Sequence, residues 1–112
     1  MLSISSTHQF VLYKPSCDMR KSFNSLCGLV HNELKLTAHD GSVYIIINKK
    51  RNQMKLLHWE TGGFVLYHKR LEQGTFALPM DNKSIITWST LVLMIEGVEV
   101  IKRSQKKRFL LK

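Results

Sequence analysis

Cysteine is scarce in this chain: Cys17 and Cys27 are its two, with no CxxC pair and no second pair to complete a zinc site. Both fall in or beside an apolar helical pattern, so they read as buried, reduced thiols. The five histidines, His8, His31, His39, His58 and His68, make neither HxH nor HExxH, which argues against a metal or general-base site. The eight acids fall mostly at helix ends or in turns, and none belongs to the spaced set that a two-metal nuclease needs. No GxGxxG, GxxxxGK[ST] or GxSxG occurs. No apolar run approaches the ~20 residues of a bilayer span, and the start, MLSISSTHQFVLYK, lacks the basic-then-apolar layout of a secretory signal. These absences lead to the expectation of a cytoplasmic, non-enzymatic protein with no metal, no cofactor, no membrane partner and no small-molecule substrate.

With 44% hydrophobic residues and only two prolines in 112, the chain reads as one globular domain with a single core. Its clearest local structure is MKLLHWETGGFVLYHKRL, Met54 to Leu71. Two apolar and aromatic runs flank Thr61-Gly62-Gly63, and glycine supplies the positive φ that tight hairpin turns need. Met54–Glu60 and Phe64–Arg70 are therefore expected as antiparallel partners. A two-residue loop, centred on Thr61-Gly62 or Gly62-Gly63, puts Leu57, Trp59, Phe64 and Leu66 on one inner face. The other face, Leu56, His58, Val65 and Tyr67, is then semi-polar and partly wet, whereas a three-residue loop would exchange the partners.

Ahead of the hairpin, SVYIIIN is β-branched with apolar residues on both faces, as suits a central strand. The basic turn Lys49-Lys50-Arg51-Asn52 leads from it into Met54, giving three successive antiparallel strands. Further upstream, QFVLY reads as a short strand ended by Lys14-Pro15. Met19, Phe23, Leu26, Cys27, Val30 and Leu34 recur at helical spacing and predict an amphipathic helix over Met19–Leu36, with Ser16 or Asp18 as its cap. Arg20 and Lys21 in that first turn oppose the helix dipole, which points to a salt bridge to Asp18 or a bound anion as against a plain solvated surface location. After the hairpin, Thr75–Leu78 reads as a short extended piece. A second helix is expected near Trp88–Glu96, capped by Thr87 and stopped by Gly97. The expected fold is α+β: an antiparallel β-meander sheet packed against one long and one short helix, spanning residues 1–101.

Charge adds a second theme. The formal net charge is +9. Lys102, Arg103, Lys106, Lys107, Arg108 and Lys112 crowd the last eleven residues without an acid, leaving eleven basic against eight acidic residues before them. Residues 102–112 thus form a basic C-terminal tail suited to a polyanion such as nucleic acid. Within the domain the cations gather as Arg20 and Lys21, the turn Lys49-Lys50-Arg51, and Lys69 and Arg70. The turn and the strand end should share one edge of the sheet, making a basic rim with Tyr67 nearby as a stacking group. Phosphate contacts of this kind give affinity without sequence readout.

The chain also resembles a known bacterial family. Asp18-Met19-Arg20-Lys21, Asn48-Lys49-Lys50-Arg51 with Lys55-Leu56-Leu57-His58-Trp59, Gly63-Phe64 with Lys69-Arg70-Leu71-Glu72, Gly74-Thr75-Phe76 with Pro79, and Glu96-Gly97 follow one another over roughly Phe10 to Gly97. In that order they are similar to the small TnpB-type accessory protein, the second open reading frame product, of insertion sequences in the IS-sixty-six group. Asn24-Ser25 departs from the family's acidic or glycine-bearing segment, and the basic tail lies outside the shared pattern. The resemblance implies a non-catalytic accessory role in DNA transposition beside a larger transposase that carries the catalytic acids. DNA, the transposase, or both are the expected partners. The DNA-binding candidates are Arg20, Lys21, Lys49, Lys50, Arg51, Lys69, Arg70, Lys102, Arg103, Lys106, Lys107 and Arg108. The alternative is an interaction module that docks on the transposase through an exposed aromatic face with Tyr67 and His58, its cations serving only solubility.

Overall fold

A computed structural model describes residues 4–79 and 83–96 of the chain. The expected Gly97 stop and the tail from Lys102 to Lys112 lie outside the described residues. The fold is α+β, with a five-stranded, mostly antiparallel sheet and two helices. In chain order these are β1 (Phe10–Leu12), α1 (Phe23–Glu33), β2 (Val43–Ile47), β3 (Gln53–Glu60), β4 (Gly63–Arg70), β5 (Ile85–Ile86) and α2 (Trp88–Ile95), with a 3-10 turn at Ala38–Asp40 before β2. The sheet order is β4-β3-β2-β1-β5.

All five residues of β2 are buried, because the strand lies in the middle of the sheet and is covered on both faces. Alternation sends Val43, Ile45 and Ile47 into one cluster with Phe10, Leu12, Met54, Leu56, Phe76, Ile86, Leu91 and Met94. Tyr44 and Ile46 enter the other, with Val11, Leu26, Val30, Ala38 and Leu57. α2 covers the first face and α1 the second, so a sequence apolar on both sides becomes the centre of a helix-sheet-helix sandwich.

β1 corrects the expected all-antiparallel sheet. It runs parallel to β2, with Phe10 beside Val43 and Leu12 beside Ile45, and antiparallel to β5. The physical reason is the connection: Pro15 ends the strand region, α1 carries the chain across one face, and a crossover of that kind returns it in the starting direction. β5 has only two residues, too short for its period-2 pattern to stand out from the surrounding loop. The piece Thr75–Leu78 forms no ladder, but its Phe76 N–H donates to the Arg51 carbonyl at 2.7 Å and its ring is fully buried.

The hairpin closes on Thr61-Gly62. Glu60 pairs with Gly63, Trp59 with Phe64 and Leu57 with Leu66, as a two-residue loop demands. Gly62 has φ +89°, a conformation that an L side chain resists. The second face is drier than expected on its β3 half, while Val65 and Tyr67 on β4 are half-buried. Leu56 and His58 are each 3% exposed and Tyr67 packs on the α2-side cluster: α2 and Ile4 lie beside Leu56 and Tyr67, and the His8 ring meets His58.

α1 is shorter at both ends than Met19–Leu36. Asp18 does not cap the helix; it accepts the Arg20 backbone N–H at 2.9 Å in a turn that precedes it, and Ser22 stands at the N-cap without a side-chain bond. At the other end Lys35 adopts φ +58° and turns the chain away. Met19, expected on the helical stripe, sits instead in the 18–21 turn, which is held against the sheet by a buried lysine. The Lys55 ammonium donates to the Met19 carbonyl at 2.7 Å and to the Lys21 carbonyl at 2.8 Å. α2 begins as expected, with the Thr87 side chain accepting from the Thr90 N–H. Among the described residues no helix is long and apolar enough to cross a membrane.

Two substitutions test this packing. Ile46→Ala, at a fully buried position of β2, should cost about 2–5 kcal/mol, whereas Leu93→Ala on the outer side of α2 should stay within about 0.5 kcal/mol; urea unfolding measures both. Lys55→Met keeps the apolar stem and loses the ammonium. It should cost about 1–3 kcal/mol and speed amide exchange at Lys21, whose N–H closes the turn on the Asp18 carbonyl.

Candidate functional site

The turn between β2 and β3 is built by two asparagines. The Asn48 side-chain oxygen accepts the N–H groups of Asn52 and Gln53, each at 3.0 Å, and its amide donates to the Asn52 side chain at 2.8 Å. Asparagine does this well because its short amide imitates the backbone. The result presents Lys49, Lys50 and Arg51, all exposed. Arg51 pays for its place with φ +58°, a left-handed conformation that costs a non-glycine residue about 1–2 kcal/mol.

The register then brings the end of β4 to the same place. Gln53 pairs with Arg70, and the Leu71 N–H donates to the Asn52 carbonyl at 2.8 Å. The 18–21 turn arrives from the α1 side, since the Cys17 N–H donates to the Ile47 carbonyl at 3.0 Å, one residue before Asn48. Lys21, Lys49, Lys50, Arg51 and Arg70 therefore stand at one end of the sheet, exposed and without a side-chain partner among the described residues.

Two other candidates are engaged. Arg20 grips Asp18, its Nη2 2.6 Å from Oδ2 and its Nε 3.0 Å from the same oxygen. That guanidinium and the Arg20 backbone N–H hold the Asp18 carboxyl near about 2, so it stays ionised and offsets one cation. Lys69 faces the α2 side, half-buried, and donates to the Ile95 carbonyl at 3.1 Å, where a cation suits the negative end of a helix. It belongs to the fold more than to the exposed end. Among the described residues Glu72 is a further exposed acid and forms no ion pair.

Tyr67 is not at this end. It lines an apolar groove of about 190 Å³ with Ile4, Leu56, Trp88, Leu91 and Ile95. His58 is buried, its Nδ1 3.4 Å from the Ser42 carbonyl and its ring edge-on to His8 at 4.8 Å, so Tyr67 and His58 do not make an exposed aromatic face. His68 is exposed on the α1 side, where burial, then the Lys55 and Arg70 charges, push its imidazole below the usual range.

Sequence reading missed a second cleft at the basic end. About 230 Å³ in volume, it is lined by Leu12, Tyr13, Ile47, Asn48, Leu78 and Pro79, with Lys14, Lys49 and Arg51 among its other walls. Pro15 after a strand and Pro79 after an extended piece are the available signals, but the approach of the segments beside them depends on the parallel β1–β2 pairing. Both cysteines are free, Cys17 buried and Cys27 half-buried, and burial raises both thiols. Among the described residues no three His, Cys, Asp or Glu side chains converge as a metal site would require.

Comparison with known proteins bears on this geometry. The chain is 26% identical over 95 residues, 81% of each chain, to the uncharacterized protein y4jC of Sinorhizobium fredii. It is 30% identical over 84 residues, 73% of each chain, to the uncharacterized protein y4hO of the same organism. No solved structure matches it. The family described as IS66 Orf2 like protein matches residues 8–105, reaching past Gly97 to take in Lys102 and Arg103, so the shared pattern is longer than the motifs alone suggest. The basic-ended sandwich described above therefore belongs to the IS66 Orf2 like protein family.

Proposed function

We propose that this chain is a non-catalytic accessory protein for the transposition of an insertion sequence, and that it works by binding DNA at the basic end of its sheet. The observation that carries this reading is the convergence of Lys21, Lys49, Lys50, Arg51 and Arg70, from three separate stretches of sequence, on one surface. Cations spread evenly over a surface would serve solubility; cations gathered from 50 residues of chain onto one end raise the local potential that draws in a phosphate backbone. Arg20 joins when its hold on Asp18 loosens, and Lys102, Arg103, Lys106, Lys107 and Arg108 add positive charge later in the sequence. Contacts of this kind position a duplex without reading its bases. A cytoplasmic setting and a transposase that supplies the cleavage chemistry complete the reading.

A second reading is docking on the transposase. The observation in its favour is the apolar groove beside Tyr67 and Trp88, the latter 38% exposed, which suits an apolar side chain of another protein. A transposase pull-down that survives nuclease treatment, together with no DNA gel shift, would select it.

The DNA reading is tested by salt dependence. Replacing Lys49, Lys50 and Arg51 with alanine should weaken binding to a duplex and lower the slope of log affinity against log salt by about 0.9 per lost contact; an unchanged slope would place the site elsewhere. Arg51→Gly separates binding from folding. Relief of the left-handed strain should leave stability unchanged or raise it by up to about 1 kcal/mol, while affinity falls. Asp18→Asn frees the Arg20 guanidinium without adding a residue to the surface, so duplex affinity should rise and its salt slope steepen, as read by fluorescence anisotropy.

A further inference from the structure

The two edges of the sheet are very different. One is β5, two residues long; the other is β4, which pairs with β3 through eight consecutive residues without a bulge or a proline. The hydrogen-bond phase of β4 follows from one bond. The Leu71 N–H donates to the Asn52 carbonyl, so the odd residues Gly63, Val65, Tyr67 and Lys69 turn their backbone groups toward β3. The even residues Phe64, Leu66, His68 and Arg70 turn theirs outward. Among the described residues nothing accepts or donates there. Long, straight edges of this kind recruit another strand unless something blunts them.

We propose that a second copy of this chain pairs with this edge, β4 against β4, to form an isologous dimer with a continuous ten-stranded sheet. Symmetry restricts the pairing sharply. In an antiparallel self-pair about a twofold axis a residue must stand opposite itself, and pairing about Tyr67 matches all four outward-facing residues. Leu66 then faces His68 of the second copy and Phe64 faces Arg70, so every outward N–H and carbonyl from Phe64 to Arg70 has a partner, about eight new bonds in all. Pairing about Leu66 would leave Arg70 facing the glycine turn.

Side chains agree with this register. Val65 faces Lys69 of the second copy, Tyr67 faces Tyr67 and Phe64 faces Arg70, so no cation meets a cation and a guanidinium lies beside an aromatic ring. Phe64 itself is half-buried, its ring already stacked edgewise on Trp59 at 4.9 Å. Among the described residues the dimer needs no rearrangement, since the edge is already formed and its ladder phase set.

Light scattering on the full chain without DNA tests this directly. The expected mass is twice 13.0 kDa at high micromolar protein, and a mass that stays at one chain overturns the proposal. His68→Pro removes an N–H with no partner in the monomer and two bonds in the dimer, so the variant should be monomeric with an unchanged circular dichroism spectrum. A second measurement does not depend on that variant folding. Tyr67→Cys places a thiol opposite itself at a non-hydrogen-bonded pair, where Cα atoms lie about 4.5 Å apart, and should give a disulfide dimer under mild oxidation. Leu66→Cys should not, being offset by two residues. Crosslinking at Leu66 in preference to Tyr67, or at neither, would overturn the pairing. None of these readouts involves DNA, so the dimer and the DNA reading stand or fall separately.

Discussion

Burial of β2 on both faces is the constraint from which the rest of the molecule follows. Five successive residues, Val43 to Ile47, have no exposed side, so the chain must supply one cover for each face and a paired strand on each flank. α1 and α2 are those covers, and β1 and β3 are those flanks. Once they are in place, charge has few locations left: the ends of the strands and the outer surfaces of the helices. The exit of β2 is the Asn48–Asn52 turn, and it carries three consecutive cations because it is the first position after Ile47 where a charged side chain reaches water.

Lys55 is the exception that the same constraint explains. At 7% exposed it lies under the 18–21 turn, and it is accommodated because two backbone carbonyls accept from its ammonium. Its charge is thereby spent on structure. It holds in place a turn with no regular secondary structure, and that turn brings Lys21 to the exposed end. One buried cation positions another that is free, and Lys69 does the comparable work for the last turn of α2.

What could be read from the residues, and what could not, divides along the same line. β2 to β4 were legible because their hydrophobic period, their turn chemistry at Gly62 and their short connections are local. The rim formed by Lys49, Lys50, Arg51 and Arg70 was legible for the same reason, since a hairpin's register fixes which residues share an end. The parallel pairing of β1 was not, because it depends on where a crossover helix returns the chain. The ends of α1 were not, because Met19 has the right spacing but Asp18 offers its backbone a competing turn. Lys69 groups with the rim cations in sequence because its partner, the Ile95 carbonyl, lies 26 residues away. The burial of Leu56 and His58 has no local signature for a similar reason: the residues beside them, α2 for Leu56 and His8 for His58, are distant in sequence.

The two surfaces described here are linked through β4, which begins at the glycine turn and ends at Arg70 in the basic rim. Antiparallel self-pairing reverses one copy with respect to the other, so the two rims would lie at opposite ends of the joined sheet, the two Arg70 Cα atoms about 20 Å apart along the strands. Rims that point away from each other cannot both follow one straight duplex; they suit two separate stretches of phosphate backbone. A monomer with the same charges would neutralise phosphates on a single site, and its affinity would be that of one rim. In the proposed dimer, binding at the first rim would make the second an intramolecular neighbour of any nearby segment of the same molecule, and effective concentration would then favour a bridge over a second independent encounter. The buried centre of the sheet thus determines the placement of charge at one end, and the open edge, if it pairs as proposed, would determine how many such ends act together.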